Sequence, residues 1–245
     1  MKSLSLIIIF RFLLFGQFLI LMISCEKSEP KQTQDFTGQT GTVIDIEGNV
    51  YKTIEIGTQI WMAENLRTAL LNDSSSILDN CSHIITVLND IGYINVLTTG
   101  YCWYNNLNDT TKNHFGALYN FYAVETERLC PIGWHVPSEA EWNTLTDYLG
   151  GKSIAGGILK ESGLRYWNNP NKGATNESGF NALPGGRRYS SHNTFCEIRE
   201  FGYWWTSTSK SVGIASTKYM FYDNTAVLDR EFPKTTACSI RCIKN

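Results

Sequence analysis

The sequence contains little that points to nucleic acid as a ligand. Its 245 residues include 21 Lys and Arg against 23 Asp and Glu, a formal net charge of −2, and the basic residues are scattered rather than clustered. Nucleic acid backbones are bound by concentrated Lys and Arg, which neutralise the phosphates. We therefore expect no nucleic acid partner.

Catalytic motifs are also missing. The chain has no GxSxG, P-loop, HExxH or EF-hand pattern. Glu139 and Glu141 are two residues apart and point to different sides of the helix predicted below, so they form no carboxylate pair. No HxH or HxxxH pair occurs among the four histidines, which are His83, His114, His135 and His192. We interpret His135, next to Trp134, as a hydrogen-bonded structural histidine, and we expect no catalytic or cofactor-binding residue.

Residues 1–24 have the pattern of an export signal. A positively charged start precedes two apolar runs, Leu4–Ile9 and Phe12–Ile23, which lead into Cys25. This pattern is typical of a bacterial lipoprotein signal peptide, although Met22 stands where such signals usually have Leu. An uncleaved membrane anchor and an ordinary secretory signal are the alternatives. All three place the rest of the chain outside the cytoplasm, and we expect an outer-membrane or cell-surface lipoprotein that is lipidated at Cys25.

The remaining chain divides into a tether and one domain. Residues 25–41 are polar and charged, as expected of a tether between membrane and domain. The chain is 42% hydrophobic and 13% aromatic, which is enough to build one sizeable core. We therefore predict one domain over residues 42–245. Residues 68–100 are rich in Ser, Asn, Asp and Thr and are predicted to form a surface insertion.

Short alternating apolar segments predict strands at both ends of this domain. Near its start they form a meander over Thr42–Ile46, Val50–Ile56 and Gln59–Met62. Near its end they predict strands over Tyr203–Ser207, Lys218–Tyr222, Thr225–Leu228 and Cys238–Ile243. Because side chains alternate along a strand, one of the neighbouring residues Trp204 and Trp205 is expected in the core and the other outside.

Two helices are predicted between these strands. Apolar residues spaced by three and four place a first helix over about Ala117–Thr126. Ser138 and Glu141 form a capping box that starts a second helix, which Gly150 ends. Its apolar side consists of Trp142, Leu145 and Leu149. Residues 151–191 are rich in Gly, Asn, Ser and Pro and are predicted to be a long irregular region.

Six separate blocks of the sequence carry a recognisable pattern. They are YKTIEIGTQIWMAENLR (Tyr51–Arg67), FGALYNFYAV (Phe115–Val124), LCPIGWHVPSEAEWNTL (Leu129–Leu145), GATNESGFNALPGGRR (Gly173–Arg188), GYWWTST (Gly202–Thr208) and SIRCIKN (Ser239–Asn245). In the same order, these blocks resemble the Fibrobacter succinogenes major paralogous domain. That family occurs in lipoproteins and surface proteins of Bacteroidetes and Fibrobacteres. The resemblance runs from about Gly41 to Asn245.

The VPSEAEW segment also resembles formylglycine-generating-enzyme-like domains, which have a C-type-lectin-like fold. This resemblance implies an α+β domain with two helices packed on small twisted antiparallel sheets. It further implies that the domain's termini lie together and that a long loop region is available for a ligand. The residue patterns alone predict a mixed α+β fold with a long loop.

Six cysteines remain besides Cys25, and an even number outside the cytoplasm favours disulfides. Cys238 and Cys242 would lie roughly 13 Å apart on one strand, too far to bond each other. The lectin-like resemblance implies a bridge between Cys130 and Cys242. The others can pair in three ways, one of which joins Cys196 to Cys238 and Cys81 to Cys102. No CxxC pair is present, so redox or copper chemistry is not expected.

Calcium would be the expected cation of a sugar-binding lectin-like domain, which often holds it through an EPN or QPD triplet and a later WND. This chain has none of these triplets. The nearest segment is Trp167-Asn168-Asn169-Pro170, which supplies amides without an adjacent carboxylate, whereas hard cations usually bind carboxylates as well. We therefore expect no metal and no cofactor.

An aromatic and polar group of residues between 151 and 209 is the candidate ligand surface. Aromatic faces beside amides and guanidinium groups suit sugar rings or a protein partner. In the alternative interpretation, Trp167 fills a small core inside the loops and the asparagines form turns. The candidate residues are Tyr166, Trp167, Asn168, Asn169, Asn171, Arg187, Arg188, Tyr189 and His192.

These observations lead to three hypotheses for function. The first is a lipid-anchored, non-enzymatic adhesion module that binds a glycan or another surface protein through residues 151–209. The second is a structural or assembly subunit of the envelope or of a fimbria. The third is an enzyme, an oxidoreductase or a hydrolase, whose chemistry the motifs do not identify.

Overall fold

The computed structural model describes residues 38, 40–79, 84–89, 92–106, 114–189 and 194–245. The predicted signal peptide, lipidated Cys25 and nearly all of the tether lie outside these ranges. No helix among the described residues is long and apolar enough to cross a membrane.

The described strands are β1 (Thr40–Ile44), β2 (Val50–Ile56), β3 (Gln59–Met62), β4 (Ile84–Asn89), β5 (Gly92–Leu97), β6 (Tyr101–Cys102), β7 (Leu118–Asn120), β8 (Trp134–His135), β9 (Arg187–Arg188), β10 (Phe195–Cys196), β11 (Phe201–Ser209), β12 (Ile214–Phe221), β13 (Leu228–Pro233), β14 (Ala237–Cys238) and β15 (Ile243–Lys244). The α-helices are α1 (Phe121–Glu125), α2 (Glu139–Tyr148) and α3 (Lys152–Leu159), and a 3₁₀ helix covers Tyr104–Asn106. The architecture is α+β, with few helices and mostly antiparallel sheets.

The first sheet joins the two ends of the domain. Its strand order is β1-β2-β3-β15-β8, and every neighbouring pair is antiparallel. The predicted meander is confirmed, with β1 shifted two residues toward the N-terminus. The side chain of Asp45 accepts hydrogen bonds from the backbone N–H of Glu47 and of Asn49, which closes the turn between β1 and β2.

The second helix begins where the sequence predicts. Ser138 is the N-cap of α2, and its hydroxyl accepts a bond from the Glu141 N–H (3.3 Å). The Glu141 carboxylate accepts one in return from the Ser138 N–H (2.7 Å). The predicted apolar side is fully buried at Trp142, Leu145 and Leu149.

The prediction for the first helix is wrong at its start. Residues Leu118–Asn120 form β7, and the helix α1 covers Phe121–Glu125. Asn120 caps α1 by accepting a bond from the Ala123 N–H, so the chain upstream is free to pair as a strand with β6 and β14. The buried residues on both sides of this short strand are spaced as they would be on a helix, which explains the wrong prediction.

Helix α3 lies in a region predicted to be irregular. Its Gly156 and Gly157 have low helix propensity, which conceals the helix from sequence analysis. The structure shows why they are there. A Cβ at Gly156 would lie 2.4 Å from the Ala226 carbonyl oxygen, so the helix backbone packs directly against the segment before β13.

The third sheet, β11-β12-β13, lies between two hydrophobic clusters. Trp205 packs into one cluster and Trp204 into the other, and both are fully buried. The expectation that one of them faces outward is therefore wrong, because both faces of β11 are covered. The predicted final strand is also divided, into β14 and β15, with residues 239–242 between them.

The insertion at residues 68–100 is not confined to the surface. It contains the β4–β5 hairpin. Its Leu71 and Ile77 are buried and belong to the same hydrophobic cluster as Trp205.

The Cys130–Cys242 disulfide is confirmed, with its Cα atoms 6.0 Å apart. Cys196 and Cys238 are free thiols, so that pairing is wrong. Strand β9 lies between β10 and β14 and separates the two cysteines by two strand spacings, about 10 Å, beyond the reach of a disulfide. Cys102 is disulfide-bonded, while Cys81, its predicted partner, lies outside the described residues.

Candidate functional site

Trp167, the aromatic centre of the candidate ligand surface, is part of the core. It is fully buried in the same hydrophobic cluster as Phe180 and Trp142, and its indole N–H donates to the Ala182 carbonyl (3.0 Å). It offers no ring face to a ligand, and its assignment as a ligand-binding residue is wrong. The alternative interpretation is correct that Trp167 is packed internally, but its cluster also contains Trp61 of β3 and Trp204 of β11 and is not confined to the loops.

The candidate asparagines mostly order the loop. The buried Asn171 side chain donates to the carbonyls of Glu161 (2.9 Å) and Gly163 (2.7 Å). Asn168 is half-buried, and its Oδ1 accepts from the Arg199 guanidinium (3.3 Å). Asn169 is exposed and precedes a cis proline. Of the three, Asn169 is thus the most accessible to a ligand.

The candidate arginines are also buried. Arg187 pairs with the Glu197 carboxylate (2.8 Å) and donates to the Tyr189 hydroxyl (2.6 Å). Its guanidinium also lies 4.4 Å from the ring centre of Phe232. Arg188 is 2% exposed, whereas Tyr189 is 40% exposed. His192 lies outside the described residues. The predicted residues therefore do not form one continuous ligand surface.

A buried lysine holds the loop after α3 in place. Lys160 is fully buried, and its ammonium donates to three backbone carbonyls, those of Lys172 (3.1 Å), Phe221 (3.1 Å) and Asn224 (2.8 Å). It also lies 5.3 Å from the ring centre of Trp167. An ammonium has three donors, and all three are used here. The loop is therefore tied to the end of β12 by an internal cation.

A different group of polar residues surrounds a real concavity, which we call the charged cleft. It has a volume of about 610 Å³ and lies between α2, the start of α3 and the strands β12 and β13. Every residue that lines it is polar or charged: Glu139, Asn143, Lys152, Lys210, Ser216, Lys218, Asp229, Arg230 and Glu231.

Local geometry explains why these side chains meet. Glu139 and Asn143 are four residues apart and share one side of α2. The register of β12 and β13 places Lys218 opposite Asp229 and Ser216 opposite Glu231, two pairs that point to the same face of the sheet. The helix start was predictable from sequence, but the register that completes the cleft was not.

Asp229 is the centre of the hydrogen-bond network in the charged cleft. It accepts bonds from Lys152 (2.9 Å) and from Lys218, whose side chain is only 2% exposed. Lys218 also donates to the Asn143 side chain (3.2 Å). Burial by itself would raise the pKa of Asp229, but the bonds from the two lysines outweigh it and lower that pKa. The carboxylate is therefore held in its charged form.

A second centre lies at the other end of the charged cleft. The Glu139 carboxylate accepts bonds from Lys210 (2.8 Å) and from the Ser216 hydroxyl. Charged donors and acceptors are thus fixed on both sides of the cavity before any ligand arrives. Such an arrangement suits a ligand that can both donate and accept hydrogen bonds.

The region near the second helix start is structural. The two ring nitrogens of His135 are hydrogen-bonded to Asn245 (2.6 Å) and Glu141 (2.8 Å), which confirms its interpretation as a hydrogen-bonded histidine. Glu139 and Glu141 have separate partners, as their spacing predicts. Among the described residues no group of His, Cys, Asp and Glu is placed to hold a metal. The expectation of no metal and no cofactor stays a prediction.

Comparison with known proteins identifies a family but no individual relative. No curated protein and no solved structure matches the chain. The Fibrobacter succinogenes major domain matches residues 54–244, from β2 to the last strand. This range covers more than half of the chain and includes all of the residues that line the charged cleft. The chain therefore belongs to the Fibrobacter succinogenes major domain family.

Proposed function

We propose that the protein is a lipid-anchored binding module without enzymatic activity, held at the outer membrane or cell surface, and that its ligand is a glycan. We also propose that its α+β fold is of the C-type-lectin-like kind. The lipoprotein pattern at Cys25 supports the location, and the antiparallel sheets with joined ends support the fold.

The charged cleft is the observation that carries the ligand proposal. Sugar hydroxyls donate and accept hydrogen bonds, and the cleft offers ammonium donors beside carboxylate acceptors in fixed positions. Protein–protein interfaces usually have an apolar centre. The polar lining of the cleft favours a saccharide over a protein as its occupant. Of the residues that line the cleft, only Lys152 lies within the region 151–209 proposed from sequence, and Lys210 follows that region directly.

The test begins with a glycan array probed with the purified full chain, followed by calorimetry on any glycan that binds. Lys152→Ala removes an exposed ammonium from the cleft and leaves the ion pair between the buried Lys218 and Asp229 in place. Loss of a hydrogen bond to a charged group should weaken binding by about tenfold or more. Lys244→Ala, an exposed lysine of β15 in another sheet, is the matched control and should bind as the wild type does.

Two results would contradict the proposal. A glycan that binds Lys152→Ala and Asn143→Ala as tightly as the wild type does not occupy the charged cleft. Saturable binding of a protein ligand, blocked by the same two substitutions, would assign the cleft to a protein partner instead.

A further inference from the structure

Strand β1 forms an outer edge of the first sheet. It is the terminal strand of the first sheet, and β2 is its only partner among the described strands. The Asp45 N–H bonds to the Asn49 carbonyl in the β1–β2 register. Because backbone bonding alternates along an antiparallel pair, Gly41 and Val43 also bond toward β2. Thr40, Thr42 and Ile44 therefore direct their N–H and C=O groups away from the sheet.

The other outer strands of the larger sheets are protected from such pairing. The outer edge of β11 is covered by Gly186 and Ser239, which form isolated bridges with Gly202 and Trp204. The exposed edge of β13 carries three consecutive charged residues, Asp229, Arg230 and Glu231. Strands β6, β8 and β10 are two residues long. Natural proteins block exposed edges with charge, proline or short length. Strand β1 has five residues, TGTVI, without a charge or a proline.

Exposed aliphatic side chains lie beside this edge. Ile44 is 59% exposed and Val50, its cross-strand partner, is 49% exposed. Ile46, in the turn that follows, is 46% exposed. Single exposed aliphatics are common, but a group of them next to open backbone donors and acceptors has the features of an interface.

We propose that β1 pairs with β1 of a second copy of this chain, antiparallel, about a two-fold axis at Thr42. Thr42 then faces Thr42 of the other copy, and Thr40 faces Ile44. All three positions have outward N–H and C=O groups, so each facing pair exchanges two backbone bonds. The strand is self-complementary because it has no charge that would repel its copy, and two-fold pairing uses the same surface on both chains.

The expected dimer is weak in dilute solution. A five-residue strand with three neighbouring aliphatics buries less than the roughly 1,000 Å² that specific stable interfaces require. Copies anchored in one membrane share a high local concentration, which favours association without any new contact. A self-pairing edge is also what the assembly hypothesis requires, and it does not depend on a ligand in the charged cleft.

Oxidative cross-linking of the full chain in its membrane tests the pairing. Thr42→Cys places two thiols in a facing pair with a Cα separation of about 5.5 Å, within disulfide range. Lys52→Cys is the matched control, because Lys52 lies directly opposite Thr42 on β2 and is exposed but away from the edge. We expect a covalent dimer from Thr42→Cys and only the wild-type background from Lys52→Cys.

A proline variant separates pairing from random collision. Ile44→Pro removes an outward N–H from each chain and leaves the bonds between β1 and β2 intact. Two bonds of the dimer are lost, each worth about fivefold, so the dissociation constant should rise about 25-fold by sedimentation equilibrium in detergent. The melting temperature should not change. Val43→Pro removes an N–H that bonds to β2 and should lower it.

Three outcomes would overturn the proposal. One is a Thr42→Cys dimer no more abundant than that of Lys52→Cys. Another is cross-linking that Ile44→Pro leaves undiminished. The third is capture of a different protein by Thr42→Cys, which would make the edge a site for a foreign strand.

Discussion

Replacing Lys160 by Met should lower the free energy of unfolding by about 2 to 4 kcal/mol. The substitution keeps a long flexible side chain but leaves the carbonyls of Lys172 and Asn224 without the ammonium donor. The Phe221 carbonyl also loses the ammonium but still accepts a bond from the Asn224 N–H (3.3 Å). A buried carbonyl without a partner costs about 1 to 3 kcal/mol. About 1 to 2 kcal/mol applies to each of the two unpaired carbonyls, because Met gains apolar contact with Trp167 and no charge has to be buried.

The assay is chemical denaturation followed by tryptophan fluorescence, in which Trp167 lies close to the altered side chain. The matched control is Lys172→Met, because Lys172 has an exposed side chain in the same loop and its backbone carbonyl is kept. It should change stability by less than about 0.5 kcal/mol. A Lys160→Met chain as stable as the wild type would refute the claim that the ammonium holds the loop.

Stability should also depend on pH through this residue. Burial lowers the pKa of Lys160 to about 8, and Asp223 acts in the opposite direction. The unfolded chain releases the same proton near pH 10.4. Between these values the unfolded state binds more protons, so stability rises with pH. Relative to Lys160→Met, the unfolding free energy of the wild type should increase by about 1 kcal/mol from pH 7.5 to 9.5, after allowing for screening. If the difference in unfolding free energy between the wild type and Lys160→Met did not change with pH, the three carbonyls would be keeping the ammonium protonated.

Two further predictions concern packing and the disulfide. Gly156→Ala should destabilise the protein by about 1 to 3 kcal/mol although Ala favours helices, because its Cβ would meet the Ala226 carbonyl at 2.4 Å. The control Ser153→Ala, at an exposed position of the same helix, should be neutral or slightly stabilising. If both substitutions changed the melting temperature equally, the close contact at Gly156 would be contradicted. Replacing both Cys130 and Cys242 by Ser opens a loop with a sequence separation of 112. It should cost up to about 5 kcal/mol of unfolding free energy, and an unchanged denaturation midpoint would refute this estimate.

Sequence was a good guide where the signal is local. The capping box of Ser138 and Glu141 and the apolar side led by Trp142 lie within a few residues of each other, and α2 forms there. Helix α3 was missed because Gly156 serves a contact with residues far along the chain, which a window of sequence does not show. The prediction that one of Trp204 and Trp205 faces outward was wrong because alternation does not reveal that β11 has a core on each side.

The candidate site shows the same limit. Trp167 and Arg187 have the composition of a ligand surface, but their partners, Ala182 and Glu197, are loop residues that satisfy them internally. The charged cleft depends on the register between β12 and β13, and a shift by one residue would turn Lys218 to the opposite face. The sequence contains the residues of the charged cleft but does not show that their side chains lie together.

The pairing of β15 with β3 has a consequence for when the chain can fold during its synthesis. Ile243 lies opposite Trp61, so the meander at the start of the domain remains an incomplete sheet until the last strand has been synthesised. Contacts between residues so distant in sequence form late and slowly. A chain still emerging from the ribosome therefore lacks the strand that completes its first sheet. The Cys130–Cys242 disulfide also has to wait for the end of synthesis, because Cys242 directly precedes β15.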